Sequence, residues 1–145
     1  VRFTAVQVLS VLGVGLVLGP VAAGAWLVVS LIGILLLETV NYVEHYGLQR
    51  EQLPNGRYAR TRPAHSWNSE RPLGRVLLLD VTRHSDHHAH ASRPYPVLRH
   101  HEAAPELPAG YPGMILLALC PPLWFGVMDP RVAGETARVQ RAEAA

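Results

Sequence analysis

The feature that most constrains the fold is an uncharged stretch that runs from Phe3 to Leu37. Its length of about 35 residues is well above the ~20 apolar residues that span a bilayer once. Gly19-Pro20 interrupts the stretch near its middle and predicts a tight turn there. The sequence therefore predicts a helical hairpin in the membrane. Its two transmembrane helices are expected at about 3–19 and 21–44.

The arginine distribution predicts how this hairpin is oriented. Arg2 precedes the first span, the other twelve arginines follow the second, and the chain contains no lysine. Because positive residues favour the cytoplasmic side, both ends of the hairpin are expected in the cytoplasm. A cleaved signal peptide also places a basic residue before an apolar stretch. This stretch is too long for one, and no polar mature region follows a small-residue cleavage site.

The second span becomes polar on one face as it ends. With about 100° of rotation per helical residue, Asn41, Tyr42 and His45 all fall within about 60° of Glu38. Ionisable residues at membrane depth usually face a protein interior and mark function. His45 is therefore a candidate metal ligand, and a helix-capping or surface histidine is the alternative.

Four of the eight histidines lie within the eight residues from Arg83 to His90. On a helix, His87 and His88 fall about 60° and 40° to either side of His84, whereas His90 falls about 120° away. The first three therefore share one face, and the divergence of His87 from His88 suits two metal ions better than one. A solvated histidine-rich surface with weak metal affinity is the alternative.

The apolar residues before this run favour a packed helix at about 73–91. Leu73, Leu77 and Val81 lie on the same side as the three histidines by helical count, so the histidine face is expected to point inward. Asp86 lies on the opposite side of this helix. It would either orient a neighbouring histidine or face solvent.

The remaining segments are predicted from turn and breaker residues. Asn55-Gly56, set between short alternating runs, predicts a β-hairpin at about 48–62. The proline-rich residues 99–112 are expected to be irregular, with their two histidines at the surface. The apolar residues 114–119 are too few to span a bilayer and are expected to form a buried or interfacial helix.

The predicted fold class is an all-α membrane protein with one short β-hairpin. Three regions are expected: a transmembrane hairpin at 1–47, a cytoplasmic, mainly helical metal region at 48–131, and a frayed or disordered tail at 132–145. The net charge of +2, without a basic cluster that includes aromatics, argues against nucleic-acid binding. The single Cys120 excludes an intrachain disulfide and a cysteine-based zinc cage.

Two segments, Asn41–Gly47 and Arg83–Ala89, resemble the last two signatures of the integral-membrane alkane hydroxylases (alkane 1-monooxygenases) of the fatty acid desaturase-like superfamily. Three further segments are similar to the same family: Gly56–Tyr58, His65–Ser69 and Gly110–Gly113. The resemblance implies an oxidoreductase with two non-haem iron ions, held mainly by histidines on the cytoplasmic side of a bundle in the bacterial inner membrane. By motif match, the ligands would be His45, His84, His87 and His88, with Asn41, Glu44 and Asp86 in support.

The resemblance also implies the reaction. Such an enzyme hydroxylates the terminal carbon of medium-chain or long-chain n-alkanes to primary alcohols. It uses O₂ and electrons from rubredoxin, which a rubredoxin reductase supplies. Two earlier histidine boxes of the family, His-Glu-x-x-x-His and Glu-His-x-x-Gly-His-His, are absent from this sequence. Because the chain also begins at Val1 rather than Met, we expect a C-terminal portion of a longer protein, inactive alone.

Three alternatives remain open at this stage. One is a related membrane di-iron hydroxylase or desaturase that acts on fatty acyl or alkyl-aromatic substrates. Another is a membrane module that binds metal structurally without turnover. The third is zinc in place of iron, held by three histidines and a water, with a glutamate as base.

Overall fold

Residues 2–143 are described in the computed structural model of the chain, and nearly all regular structure within them is helical. Two short 3₁₀ turns, Pro63–His65 and Tyr95–Val97, lie in the connections. The chain forms two compact units, Val1–Glu38 and Thr39–Ala145. The α-helices of the described residues are α1 (Arg2–Leu18), α2 (Pro20–His45), α3 (Pro72–Leu77), α4 (His84–Ala89), α5 (Tyr111–Ala118) and α6 (Pro121–Glu143).

The first unit is a hairpin of α1 and the apolar part of α2. Gly19 joins the two helices with a φ of +89°, a left-handed conformation that glycine adopts without steric cost. Its N–H donates to the carbonyl of Gly15 at 3.0 Å. Large apolar side chains point outward along both helices, among them Leu16 at 86% exposed and Val21 at 85%.

The number of membrane spans differs from the prediction. Among the described residues, α2 is the one helix both long and apolar enough to cross a bilayer. α1 is apolar but has 17 residues, which at ~1.5 Å each fall short of the ~30 Å hydrocarbon core. The structure therefore supports one membrane-spanning helix and does not support the predicted pair.

The second unit has a small core in which aromatic and methionine side chains predominate. It brings together the end of α2, the connection before α3, and helices α5 and α6. Its buried members are Val43, Trp67, Leu107, Tyr111, Met114, Trp124 and Met128. Proline in the first turn of α3 and α5 suits these helix starts, because it lacks an N–H that would be unpaired there.

The predicted β-hairpin at 48–62 is wrong, because the described residues form no strand there. The chain does reverse at Gly56, which has a φ of +77°. The Leu53 N–H donates to the Arg57 carbonyl at 2.7 Å, and a single antiparallel bridge joins Gln52 to Tyr58. Both bridge residues are exposed. A two-stranded ribbon without an apolar face to bury is only marginally stable.

The single helix predicted at 73–91 is also wrong, since α3 and α4 are separate. Between them Leu79 and Asp80 have φ values of +50° and +60°, which a helix cannot contain. The Arg75 guanidinium pairs with the Asp80 carboxylate at 2.5 Å, and the Asp80 N–H donates to the Arg75 carbonyl at 2.8 Å. Leu73 and Leu77 are consequently exposed and do not extend the histidine face.

The last helix continues into the region predicted as a tail. α6 runs without interruption to Glu143, although it contains Pro130. Residues 132–143 are therefore helical, and Ala144 and Ala145 lie outside the described residues. Most of the apolar segment predicted at 114–119 lies in α5, where Met114 is buried.

Candidate metal centre

His45 is the last residue of α2, and the chain turns sharply after it. Gly47 has a φ of +71°, and a Cβ there would lie 2.5 Å from a methyl carbon of Val132 on α6. Glycine is therefore required both by the backbone conformation and by the close approach of α6. This turn leaves the His45 imidazole at the end of the helix.

The short helix α4 carries His84, His87 and His88. The ring centroids of His84 and His88 lie 4.3 Å apart, and that of His87 lies 5.8 Å and 5.7 Å from them. The His45 ring lies 5.1 Å from His84 and 4.9 Å from His88. The structure thus brings all four predicted histidines together.

Three of these histidines are arranged to share one ion. One ring nitrogen from each of His45, His84 and His88 lies within 4.8 Å of the other two. The Nε2 atoms of His45 and His84 are 3.2 Å apart, a separation typical of two ligands on one metal at ~2.1 Å per bond. His87 is not part of this trio.

The protonation of these imidazoles suits metal binding. Burial, together with the nearby His88, His45 and His87, lowers the pKa of His84 to about 3. Burial, together with the nearby His45 and His87, also lowers the pKa of His88. Both rings are therefore neutral near pH 7 and present a lone pair, which is the form that binds metal.

The two nitrogens of the His84 ring differ in their surroundings. The Nδ1 atom of His84 is buried and has no hydrogen-bond partner among the described residues. A buried polar atom without a partner is costly. The His84 atom that faces the other rings is Nε2, and three neutral imidazoles that converge in this way form a donor set that fits a first-row transition metal such as iron or zinc.

Two neighbouring polar groups contact the trio. Glu44 is buried, and its Oε2 lies 3.2 Å from the His84 Nε2. The Ser66 hydroxyl lies 3.5 Å from the His45 Nδ1, where it orients the ring so that Nε2 faces the cluster. Nothing in the helical periodicity indicates Ser66, which precedes Trp67 in an irregular connection. Asn41 lies one turn earlier on α2 than His45 and is exposed.

Asp86 is fully buried and does not face solvent. Its carboxylate accepts hydrogen bonds from the Arg93 guanidinium, the Arg99 N–H, and the rings of His90 and His101. Burial alone would raise the pKa of Asp86, but these donors outweigh it and hold the pKa well below its usual range. The carboxylate therefore fastens α4 to the segment that follows it.

His90 and His101 are accessible to solvent, at 47% and 29% of their side chains, but both are hydrogen-bonded to Asp86. A nitrogen of each lies within 4.8 Å of the carboxylate oxygen, a spacing that a metal ion would accept. The Arg93 guanidinium, however, already contacts both oxygens of Asp86. The positive charge of Arg93 would repel a metal cation at this position. Asp86, His90, His101 and Arg93 therefore form an ion-pair cluster. His100 lies farther out, 3.6 Å from a Glu70 oxygen.

A cleft of about 320 Å³ leads to the histidine trio. Six of its seven lining residues carry polar side chains, and two of them are ligand candidates. The lining residues are His45, Leu48, Arg50, Thr61, His65, Ser66 and His88. The cleft gives small molecules a route to the trio.

Known proteins with similar sequences place this site in a family. The profile of the fatty acid desaturase family matches residues 1–118. The chain belongs to the fatty acid desaturase family. It is 56% identical to alkane 1-monooxygenase 2 of Pseudomonas aeruginosa over 128 residues, which is 88% of this chain and 34% of that protein. The resemblance to the alkane hydroxylases is thereby confirmed.

Two further relatives show how far the similarity extends. Alkane 1-monooxygenase of Acinetobacter baylyi is 53% identical over 100 residues, covering 69% of this chain and 24% of that protein. The hydroxylase component of xylene/toluene monooxygenase from Pseudomonas putida is 32% identical over 96 residues, covering 64% of this chain and 24% of that protein. The chain thus spans about a third or less of the length of these relatives.

Proposed function

We propose that this chain forms part of the catalytic centre of a membrane-bound, non-haem di-iron alkane 1-monooxygenase. The enzyme hydroxylates the terminal carbon of medium-chain or long-chain n-alkanes to primary alcohols, with O₂ and with electrons from rubredoxin. The convergence of His45, His84 and His88 is the observation that carries the proposal. Relatives named alkane 1-monooxygenase at 53–56% identity support the choice of substrate.

The residues have separate tasks in this proposal. His45, His84 and His88 hold one iron, and His87 contributes to the second. Bound iron supplies the oxidising power that an unactivated C–H bond requires. Ser66 holds the orientation of the His45 ring, while Glu44 contacts His84 and would balance the charge of a bound metal. Asn41 supports the end of α2, and Asp86 holds the ligand helix in place.

The remaining ligands come from elsewhere in the enzyme in this proposal. Four histidines are too few to complete the coordination of two iron ions, and the sequence lacks the other two histidine boxes of the alkane hydroxylases. The chain also matches at most 34% of its relatives' length. We therefore propose that it acts as the C-terminal part of a full-length enzyme and does not turn over alone.

The proposed location is the bacterial inner membrane, with the histidines on the cytoplasmic side. The excess of arginine after α2 supports this orientation. Single-cysteine labelling of Leu18→Cys, with Cys120 replaced by serine, tests it in intact cells. Labelling by a membrane-impermeant reagent from the outside is expected. Protection from outside, with labelling only after the cells are opened, would contradict the orientation.

Purified full-length enzyme tests the activity. With rubredoxin, its reductase and NAD(P)H, we expect n-octane or a longer alkane to yield the primary alcohol, and His84→Ala to lose both iron and activity. His100→Ala is the matched control and keeps both. If His84→Ala retains its iron, the proposed centre is wrong.

An alkyl-aromatic substrate is the second candidate, because the xylene/toluene monooxygenase component is also similar to this chain. Its identity of 32% is well below the 56% of the alkane relative. The same assay separates the candidates when p-xylene is offered beside the alkane. Preference for p-xylene would favour the second.

A further inference from the structure

The connection that precedes α3 lies between the two elements that carry the candidate ligands. Its residues Ser66, Trp67, Asn68 and Ser69 are buried to 1% exposure or less. The backbone N–H of Trp67 donates to the backbone carbonyl of Glu44, at the end of α2, at 2.9 Å. This connection therefore contacts the helix of His45 directly.

The same connection contacts the start of α4 through a side chain. The Asn68 Oδ1 accepts the backbone N–H of Ser85 at 2.9 Å, and the Asn68 Nδ2 donates to the Ser85 hydroxyl at 2.8 Å. The residue before α4, Arg83, makes no capping hydrogen bond of its own. Asn68 thus supplies from a distance the cap that the local sequence lacks.

The backbone of Asn68 is fixed as well. Its N–H donates to the Pro105 carbonyl and its carbonyl accepts the Leu107 N–H, both at 2.8 Å. The amide side chain therefore projects from a rigid position. A helix of six residues cannot hold its own orientation, so its direction depends on such contacts.

The neighbouring residues of α4 show what this contact controls. Ser85 follows His84 directly and lies three residues before His88. Asp86 fastens the opposite side of the helix to Arg93. Asp86 thus holds one side of the helix and Asn68 holds its start, and together these contacts restrict how its histidines approach His45.

We propose that Asn68 is a positioning residue, which sets α4 so that His84 and His88 reach the same metal ion as His45. This inference rests on the proposed function, because it assumes that the trio binds metal. Without the amide, the Ser85 N–H loses its acceptor and the start of α4 moves. The three ring nitrogens then no longer converge.

The full-length enzyme loaded with Co²⁺ alone tests this role. The d–d absorption spectrum at saturation reports ligand number and geometry, and competition with a chelator gives the affinity. For Asn68→Ala we expect Co²⁺ affinity about 10- to 100-fold lower, as for other residues that orient ligands, with a changed spectrum. A purely structural role would lower the yield of folded protein and leave the spectrum unchanged.

Two further variants serve as a conservative replacement and a control for Asn68→Ala. Asn68→Asp still accepts hydrogen bonds from the Ser85 N–H and hydroxyl, and we expect it to restore the wild-type spectrum. Asn55→Ala is the matched control, because Asn55 also accepts a backbone N–H, that of Arg57 at 3.0 Å, but in an exposed turn. It should bind Co²⁺ as wild type does. A wild-type spectrum for Asn68→Ala, or equal damage by Asn68→Asp, overturns the proposal.

Ser85→Ala decides the matter if Asn68→Ala is not recovered folded. It removes the hydroxyl contact and keeps the backbone bond, so we expect about fivefold weaker Co²⁺ binding, the effect of one hydrogen bond, and a shifted spectrum. An unchanged spectrum overturns the proposal. His84→Ala separates this failure from that of the proposed function. If His84→Ala binds Co²⁺ normally, the metal centre itself is wrong.

Discussion

In the first unit neither α1 nor the apolar part of α2 buries a residue, whereas the second unit buries both Trp67 and Trp124 to 1% exposure or less. The most apolar part of the sequence therefore contributes no buried core among residues 2–143. The core lies instead beside the candidate metal centre, and is built from aromatic and methionine residues of separate segments. In the first unit, apolar side chains face the surroundings, such as lipid. In the second, large aromatic and methionine side chains fill a core because their sizes and shapes fit together.

The cavities of the two units differ in the same way. The first unit has an apolar groove of about 650 Å³, bordered by side chains such as Val11, Trp26 and Leu31. The second has the smaller cleft that ends at His45 and His88. Among the described residues, the groups of metal-binding side chains that converge on one point all lie in the second unit.

The largest effect should come from removing a tryptophan of the core. Trp124→Ala is expected to destabilise the second unit by about 3–5 kcal/mol, because the cavity cannot refill. Thermal unfolding in detergent, followed by near-UV circular dichroism, measures the loss. Trp26→Ala is the matched control in the first unit, where the side chain is 49% exposed. Equal losses of unfolding free energy for the two variants would contradict the conclusion that the packed core lies in the second unit.

A somewhat smaller loss is expected from Asp86→Ala. Arg93 would keep its charge without its partner, and breaking a buried ion pair costs about 3 kcal/mol. The same unfolding experiment applies, with iron content measured in parallel. Glu135→Ala is the control, since its pair with Arg138 is more exposed than that of Asp86 with Arg93 and should be worth about 1 kcal/mol or less. A loss for Asp86→Ala no larger than that of Glu135→Ala would show that the buried cluster does not hold the second unit together.

Two glycines with nearly the same φ provide the next test. Gly47→Ala meets both a left-handed backbone and the Val132 side chain, and should cost about 2 kcal/mol or more. Gly56→Ala has nothing within 4 Å of its new Cβ and should cost about 1 kcal/mol. Chemical denaturation compares the two. If Gly56→Ala proves the more damaging, the packing of α6 on the end of α2 is not significant.

The smallest effect is expected in the first unit. Leu16 is 86% exposed, so Leu16→Ala should change the unfolding free energy by less than ~0.5 kcal/mol in detergent. The unfolding temperature of the second unit should stay the same. A large decrease would indicate that α1 packs more tightly than its exposure suggests.

The histidine cluster could be predicted from the sequence, because its three members in α4 are close together along the chain. His84, His87 and His88 fall on one side of any helix that contains them, however short that helix is. The helix break at Leu79 and Asp80 could not be predicted from the sequence. It depends on a pairing between Arg75 and Asp80 that competes with helical hydrogen bonds, and a periodic apolar pattern contains no sign of it.

The supporting contacts were hidden for a different reason. Asn68 and Ser85 are 17 residues apart, and Asp86 meets His101 across 15 residues. Such contacts depend on how irregular segments fold back, which neither helical periodicity nor turn propensity determines. Asp86 itself could be placed opposite His84 by helical count. Of its four donors, only His90 is indicated locally, because it follows Asp86 by four residues. The other three, Arg93, Arg99 and His101, lie beyond α4 and could not be named.

Because Val132 lies so close to Gly47, substitutions at these two distant positions should depend on each other. A bulkier residue at 47 would be tolerated only alongside a smaller one at 132, and even then only if it accepts a left-handed backbone. Substitutions at these positions should therefore show epistasis, so that Val132→Ala partly rescues Gly47→Ala although it gains nothing by itself. In a library of variants, the two sites would be recovered as a pair. The end of the membrane helix and the middle of the last helix would then change together.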